Sequence, residues 1–233
     1  NALASLVGWR AAFGALAVLG AAVAGWAWCK VPDFPGEPPA ERTPLRRIAT
    51  LPGIPSVLAV TLFLLLGHQA LYTYLSPFTE RSGFGGVGVV LLVFGVSTVA
   101  GIWAAGVLAD RRLRMALLAS LGMVSAAMLL LGAAAQSRVV LFAAVAVWGT
   151  AFGAAPTLIQ TALVDVSGPA RADVATSLQA TVYNIGIAAG SLTGGIALDA
   201  AGAAALPWTA FPLAAAALAV AALSRRHAFP AAR

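Results

Sequence analysis

Residues 139–164, VVLFAAVAVWGTAFGAAPTLIQTALV, form a run of 26 residues that contains no Asp, Glu, Lys or Arg. A helix of about 20 residues crosses the hydrocarbon core of a membrane, which is about 30 Å thick. This stretch is therefore long enough and apolar enough to be a transmembrane helix. Charge-free runs predict six more such helices, which cover residues 11–29, 54–75, 87–109, 115–135, 174–198 and 207–224.

The composition of the whole chain is also that of a membrane protein. Of its 233 residues 61% are hydrophobic and 9% are charged, and the mean hydropathy is +0.91. Soluble domains carry about 25% charged residues, so a soluble enzyme is excluded. Ser, His and Asp residues show no spacing typical of a catalytic nucleophile. The predicted fold class is an all-α, polytopic transmembrane helix bundle, and no enzymatic activity is predicted.

The distribution of positive charge predicts an orientation in the membrane. If residues 30–53 are cytoplasmic, eleven Lys and Arg residues lie on the inside and three on the outside. Cytoplasmic loops of membrane proteins carry such an excess. The net charge of +6 is therefore interpreted as a topology signal, and no nucleic-acid partner is predicted. We expect Asn1 outside and the tail from Ser224 inside.

A proline-rich segment divides the chain. Residues 32–39 contain four prolines, which cannot form a regular helix, so residues 30–53 are predicted to be an extended cytoplasmic linker. The predicted organisation is a helical segment at 1–29, this linker, a six-helix bundle at 54–224 and a cytoplasmic tail at 225–233. The single Cys29 has no Cys/His cluster around it, so no metal or other cofactor is predicted.

Four motifs follow one another along the chain. They are Gly8-Trp9-Arg10-Ala-Ala-Phe13, Tyr74-Leu-Ser-Pro77-Phe78 followed by Gly83-Phe84, Gly106-Val-Leu-Ala-Asp110-Arg111-Arg112-Leu113-Arg114, and Tyr183-Asn184-Ile-Gly186-Ile-Ala-Ala-Gly190-Ser-Leu-Thr-Gly194-Gly195. In this order they resemble the major facilitator superfamily, and within it the arabinose-efflux-permease-like branch of drug and sugar exporters. Leu113 stands where the family's loop motif G-x-L-A-D-R-x-G-R has glycine.

The resemblance implies that the chain is the C-terminal half of such a transporter. Residues 1–29 are then the end of helix five and helix six, and residues 54–224 are helices seven to twelve. The implied partners are the lipid bilayer, the N-terminal helix bundle of the same protein, a small-molecule substrate and protons. The implied function is export of a sugar, nucleoside or drug by alternating access in the bacterial plasma (inner) membrane, in exchange for protons. The alternative is a truncated, non-transporting membrane module with a ligand-binding or structural role.

Polar residues in the middle of the span 54–75 are the first candidates for a substrate site. Thr61, His68 and Tyr72 share one helical stripe, and Gln69 lies beside it. Because polar groups that face lipid are costly, this stripe should face the bundle interior or a water-filled cavity. Three interpretations remain open for His68: a hydrogen bond to a neighbouring helix that serves packing, recognition of substrate in a cavity, and direct proton coupling.

The spans 139–164 and 174–198 supply further candidates. The second of these carries a polar stripe, on which Asn184, beside Tyr183, is the best candidate for a substrate contact. This stripe consists of Ser177, Thr181, Asn184 and Ser191. Gln160 either lines the cavity or lies at the membrane interface. The four-residue spacing of Gly186, Gly190 and Gly194 favours close helix packing. We expect His68 and Asn184 to face a common cavity. The predicted substrate-binding residues are His68, Gln69, Tyr72, Gln160, Tyr183 and Asn184.

The loop motif at 106–114 has two interpretations. It is either a solvated cytoplasmic turn or a latch that holds the cytoplasmic side closed. In the second case Asp110 meets the positive N-terminus of the helix that starts near Asp173, and Arg111 or Arg114 pairs with Asp165. The predicted latch residues are Gly106, Asp110, Arg111, Arg114 and Asp165.

Overall fold

A computed structural model describes residues 9–32 and 44–229 of the chain. The chain divides into two compact units, residues 1–42 and 43–233. In the described part, the first unit contains α1 (Trp9–Lys30). The second unit contains α2 (Leu45–Ala49), α3 (Ile54–Tyr72), α4 (Leu75–Arg81), α5 (Val87–Ala134), α6 (Arg138–Ser167), a 3₁₀ turn (Pro169–Arg171), α7 (Ala172–Ala201) and α8 (Ala205–Leu223). The described residues include no β-strand.

Within residues 9–32 and 44–229, seven helical segments are long and apolar enough to cross a membrane. One is Phe13–Lys30 in α1, and α5 contributes two, Val87–Ala109 and Arg112–Ala134. The other four correspond to α3, α6, α7 with the preceding 3₁₀ turn, and α8. The seven transmembrane helices predicted from charge-free runs are therefore confirmed in number and in place.

The two spans of α5 meet at a single irregular residue. Arg112 has φ −146° and ψ 42°, which are not helical values, whereas the residues on either side continue the helix. The sequence predicts a short loop at this point. The structure instead confines the break to the middle of the motif at 106–114.

Both ends of the second unit pack onto the bundle. Ile48 in α2 is fully buried, so the part of the predicted extended linker from Leu45 to Ala49 is a folded helix. Phe229 in the predicted tail is also fully buried. At Gly53, where φ is +95°, an added Cβ would lie 2.5 Å from the carbonyl oxygen of His227. The linker end and the tail therefore meet at one end of the bundle.

Glycines set the closest helix contacts. A Cβ at Gly186 would lie 2.7 Å from the Cβ of Leu65, one at Gly190 would lie 2.8 Å from the Cβ of Gln69, and one at Gly194 would collide with the Ala70 carbonyl oxygen. The stripe predicted from four-residue spacing is thus the face of α7 that packs on α3. Tyr74 extends this contact by donating a hydrogen bond to the Ser191 carbonyl at 3.0 Å.

Large apolar side chains remain exposed on the bundle. Along the first span of α5 they include Leu92, Val96, Val99 and Trp103, whose exposed fractions range from 64% to 74%. Surfaces of this kind are unusual on soluble monomers and mark contact with a membrane or another protein. They are the surfaces expected of helices that lie in lipid.

Candidate functional site

A cavity of about 230 Å³ lies between α3, α6 and α7. It is lined by Thr61, Leu64, Leu65, Pro156, Ile159, Gln160, Thr176, Gln179, Ala180, Tyr183 and Asn184. None of these residues is charged. Three of them carry carboxamides and three carry hydroxyls, and the rest of the wall is apolar. A surface of this composition suits an uncharged molecule that has both polar edges and apolar faces.

The local sequence explains why these side chains meet. Thr176, Gln179 and Tyr183 follow one another at i, i+3 and i+7, so they share one face of α7. On α6, Pro156 lies inside the helix and has no N–H to donate to the preceding turn. The polar face of α7 and the interrupted turn of α6 border the same space.

Hydrogen bonds hold two of the three cavity amides. Asn184 donates from Nδ2 to the Ala180 carbonyl oxygen at 2.8 Å. Gln179 donates from Nε2 to the Thr61 hydroxyl at 3.4 Å, and that hydroxyl donates to the Val57 carbonyl at 3.0 Å. Gln179 and Thr61 are both buried, so these bonds lie away from bulk solvent.

His68 lies in a cluster of five aromatic rings. Its ring stacks on Phe152, with centroids 3.6 Å apart and planes 8° apart, and on Tyr72, with centroids 4.9 Å apart. Trp148 meets it edge-on at 5.2 Å, and Phe94 completes the cluster at 5.8 Å. His68 and Trp148 are buried, and within the described residues His68 Nδ1 and Trp148 Nε1 have no hydrogen-bond partner.

The structure separates the predicted binding residues into two groups. Gln160, Tyr183 and Asn184 line the cavity, whereas His68, Gln69 and Tyr72 are not part of its wall. His68 and Asn184 do not both line this cavity. Thr61 of the same helical stripe does line it, whereas the His68 ring packs against aromatic side chains of α5 and α6. Gln69 packs its Cβ against Gly190. Whether these residues bind substrate stays a prediction.

Sequence reasoning missed Gln179 and Thr176. The polar stripe expected on this helix ran through Ser177, Thr181, Asn184 and Ser191, and of these only Asn184 lines the cavity. The spacing of Thr176, Gln179 and Tyr183 was the available signal for the cavity face.

The predicted latch residues are described only in part. The side chains of Asp110 and Arg111 lie outside the described residues. Gly106 has open space where a Cβ would stand. Asp165 borders a second cavity of about 310 Å³, whose wall also includes Gln160.

Arg114 differs from its predicted role. Its guanidinium donates to the carbonyl oxygens of Phe229 at 2.7 Å, Ala222 at 3.0 Å and Ala221 at 3.3 Å. An ion pair with Asp165 is therefore not the contact that Arg114 makes. The last carbonyls of a helix have no partners within the helix, and a cation placed there satisfies them and favours the helix dipole.

Comparison with known proteins identifies the family. The model of the Major Facilitator Superfamily matches residues 1–191 of the chain. The chain belongs to the major facilitator superfamily. Its seven apolar helices are consistent with a multi-pass membrane protein of this superfamily.

Several curated proteins that the chain resembles are named as efflux pumps. The purine ribonucleoside efflux pump NepI of Escherichia coli strain K12 is 29% identical over 204 residues, which cover 84% of this chain and 50% of that protein. NepI of Shigella flexneri gives the same values, and NepI of Escherichia coli O1:K1 is 28% identical over the same length. The chain spans about half the length of these relatives. These matches favour a transporter of the superfamily over an enzyme.

Proposed function

We propose that this chain is the C-terminal part of an exporter that moves an uncharged nucleoside outward across the bacterial inner membrane in exchange for protons. The cavity between α3, α6 and α7 is this part's share of the substrate site. Alternating access in such transporters requires two helix bundles that rock around a site near the membrane midplane.

The observation that carries the proposal is the uncharged, amide-lined cavity inside a bundle of membrane-spanning helices. Nucleosides are uncharged, have a flat apolar face, and carry donors and acceptors around the base and the ribose. Three carboxamides and three hydroxyls on an apolar wall match those features. The efflux of purine ribonucleosides by the relatives supports the same substrate class.

Transport in proteoliposomes tests the proposal. The full product of the reading frame that carries this chain is reconstituted, and radiolabelled inosine is followed under an imposed pH gradient. We expect inosine to accumulate on the side from which protons leave, and dissipation of the gradient to abolish accumulation. Absence of inosine movement would contradict the nucleoside assignment, and movement that ignores the gradient would contradict proton exchange.

Substitutions in the cavity test the site. Gln160→Ala and Asn184→Ala each remove one polar partner of the substrate. We expect the apparent affinity for inosine to fall about three- to tenfold, since a neutral hydrogen bond contributes about 0.5–1.5 kcal/mol. Gln136→Ala is the matched control, because Gln136 is an exposed residue between α5 and α6 that does not line the cavity. Equal effects of all three substitutions would place the substrate elsewhere.

A further inference from the structure

Two cavity amides have an orientation that their surroundings determine. A carboxamide has a donating NH₂ end and an accepting oxygen end. Asn184 directs one end at the carbonyl oxygen of Ala180, 2.8 Å away. Since a carbonyl oxygen only accepts, the NH₂ end must face it. The carbonyl oxygen of Asn184 is therefore the end left for the cavity.

The orientation of Gln179 follows from a chain of two hydrogen bonds. The hydroxyl of Thr61 lies 3.0 Å from the Val57 carbonyl oxygen and donates its one hydrogen to it. Toward Gln179, 3.4 Å away, Thr61 can then only accept. Gln179 must present its NH₂ end to Thr61, because the opposite orientation would set two accepting oxygens against each other.

The burial of this chain of bonds makes the orientation matter. Thr61 is 1% exposed and Gln179 is 8% exposed. Leaving a buried donor or acceptor without a partner costs about 1–3 kcal/mol, so the flipped orientation of the Gln179 amide is higher in free energy. The side-chain hydrogen bonds of Gln179 and Asn184 both use the NH₂ end, which leaves the carbonyl oxygens for the cavity.

We propose that Gln179 and Asn184 present carbonyl oxygens to the cavity and select substrates that carry an N–H donor on the recognised edge of the base. Gln179 is the specificity-determining residue, and Thr61 is a positioning residue that acts through it. The proposal rests on the proposed function, since it describes selection among uncharged nucleosides at the same site. It adds that the substrate must supply a hydrogen-bond donor, not an acceptor, to these two oxygens.

Inosine and 1-methylinosine isolate that group. The base of inosine has one N–H, at N1, and 1-methylinosine replaces its hydrogen with a methyl group. Ribose hydroxyls are common to both probes and cancel in the ratio of their affinities. We expect the transporter to bind inosine at least tenfold more tightly than 1-methylinosine, measured by competition with radiolabelled inosine. Equal binding of the two would overturn the proposal.

Substitution of Thr61 tests the positioning role. Thr61→Val keeps the shape of the side chain but removes the acceptor, so Gln179 is free to turn. We expect the ratio of the two affinities to fall at least threefold in Thr61→Val and in Gln179→Met. Thr61→Ser keeps the hydroxyl and should retain the ratio. Thr157→Val is the matched control, because Thr157 is exposed on α6 and does not line this cavity. A ratio unchanged in Thr61→Val would overturn the role of Thr61.

A measurement without ligand distinguishes this inference from the proposed function. The full product of the reading frame that carries this chain is labelled with ¹⁵N at glutamine side-chain amides, placed in lipid nanodiscs, and studied by NMR. The signal that disappears in Gln179→Met belongs to Gln179. It should shift in Thr61→Val and stay in place in Thr157→Val. If inosine is not bound but the signal shifts, the nucleoside assignment fails and the amide orientation stands. If the signal does not shift, the orientation itself is wrong.

Discussion

At the scale of single residues, His68 is a polar side chain that packs among aromatic rings inside a predicted membrane span. Its ring lies between Phe152 and Tyr72 and meets Trp148 edge-on. Phenylalanine has a similar flat ring but no buried nitrogen that lacks a partner. His68→Phe should therefore leave the free energy of unfolding unchanged or raise it, whereas His68→Ala should lower it by about 2–5 kcal/mol because it leaves a cavity among the rings. Denaturant titration in detergent measures both.

The stabilities of the two His68 variants show whether the ring or its nitrogens stabilise the bundle. If His68→Phe lowers stability as much as His68→Ala, the imidazole nitrogens contribute to folding and the packing interpretation is wrong. The sequence located His68 correctly in the interior, because the cost of exposing it to lipid is a property of the residue and its depth. The identity of its neighbours depended on Phe94, Trp148 and Phe152, which belong to two other helices. Helical periodicity carries no information on such contacts.

The partners of Arg114, a charged residue, also could not be identified from the sequence. The motif at 106–114 predicted that its arginines act on the cytoplasmic side, and Asp165 was the acid that the sequence offered. The structure shows three carbonyl oxygens at the end of α8 and in the tail as the partners of Arg114. Backbone acceptors exist at every position of a sequence. Only the fold determines which of them remain without a partner.

At the scale of helices, the contact between α3 and α7 depends on the absence of side chains at three glycines. A Cβ at Gly194 would collide with the Ala70 carbonyl oxygen, and backbone atoms cannot rotate away. Gly194→Ala should force the helices apart and lower the free energy of unfolding by about 1–3 kcal/mol. Gly95→Ala is the control, since Gly95 is helical and exposed with open space around it. There we expect no loss, or a gain of up to about 1 kcal/mol from the lower backbone entropy of alanine.

Equal effects of the two alanine substitutions would show that α3 and α7 are not held by close backbone approach. This contact was predictable from sequence because small residues at four-residue spacing have few other uses in a membrane helix. The cavity face of the same helix was not. Of the polar stripe through Ser177, Thr181, Asn184 and Ser191, only Asn184 lines the cavity, so a polar stripe alone does not identify the face that meets a ligand.

At the scale of the whole molecule, the seven spans were predictable because charge is excluded from the hydrocarbon core. The structure at the ends of the bundle was less predictable from the sequence. The prolines of residues 32–39 predicted an extended linker. The structure instead buries Ile48 of the linker and Phe229 of the tail against the bundle. Short apolar segments beside charged ones give no periodic signal, and their burial is decided by the surface against which they fold.

The orientation of the bundle gives the last prediction. Thr50 precedes α3 and Ser76 follows it, and both are exposed. The 19 residues of α3 span about 28 Å at 1.5 Å per residue, so we expect the two positions on opposite sides of a membrane. The eleven-to-three distribution of Lys and Arg predicts that Thr50 lies on the cytoplasmic side. In a Cys29→Ser background, Ser76→Cys in intact cells should react with a membrane-impermeant thiol reagent. Thr50→Cys should react only after the cells are permeabilised. Reaction at position 50 but not at 76 in intact cells would show that the predicted topology is reversed. It would also contradict the outward direction of transport in the proposed function.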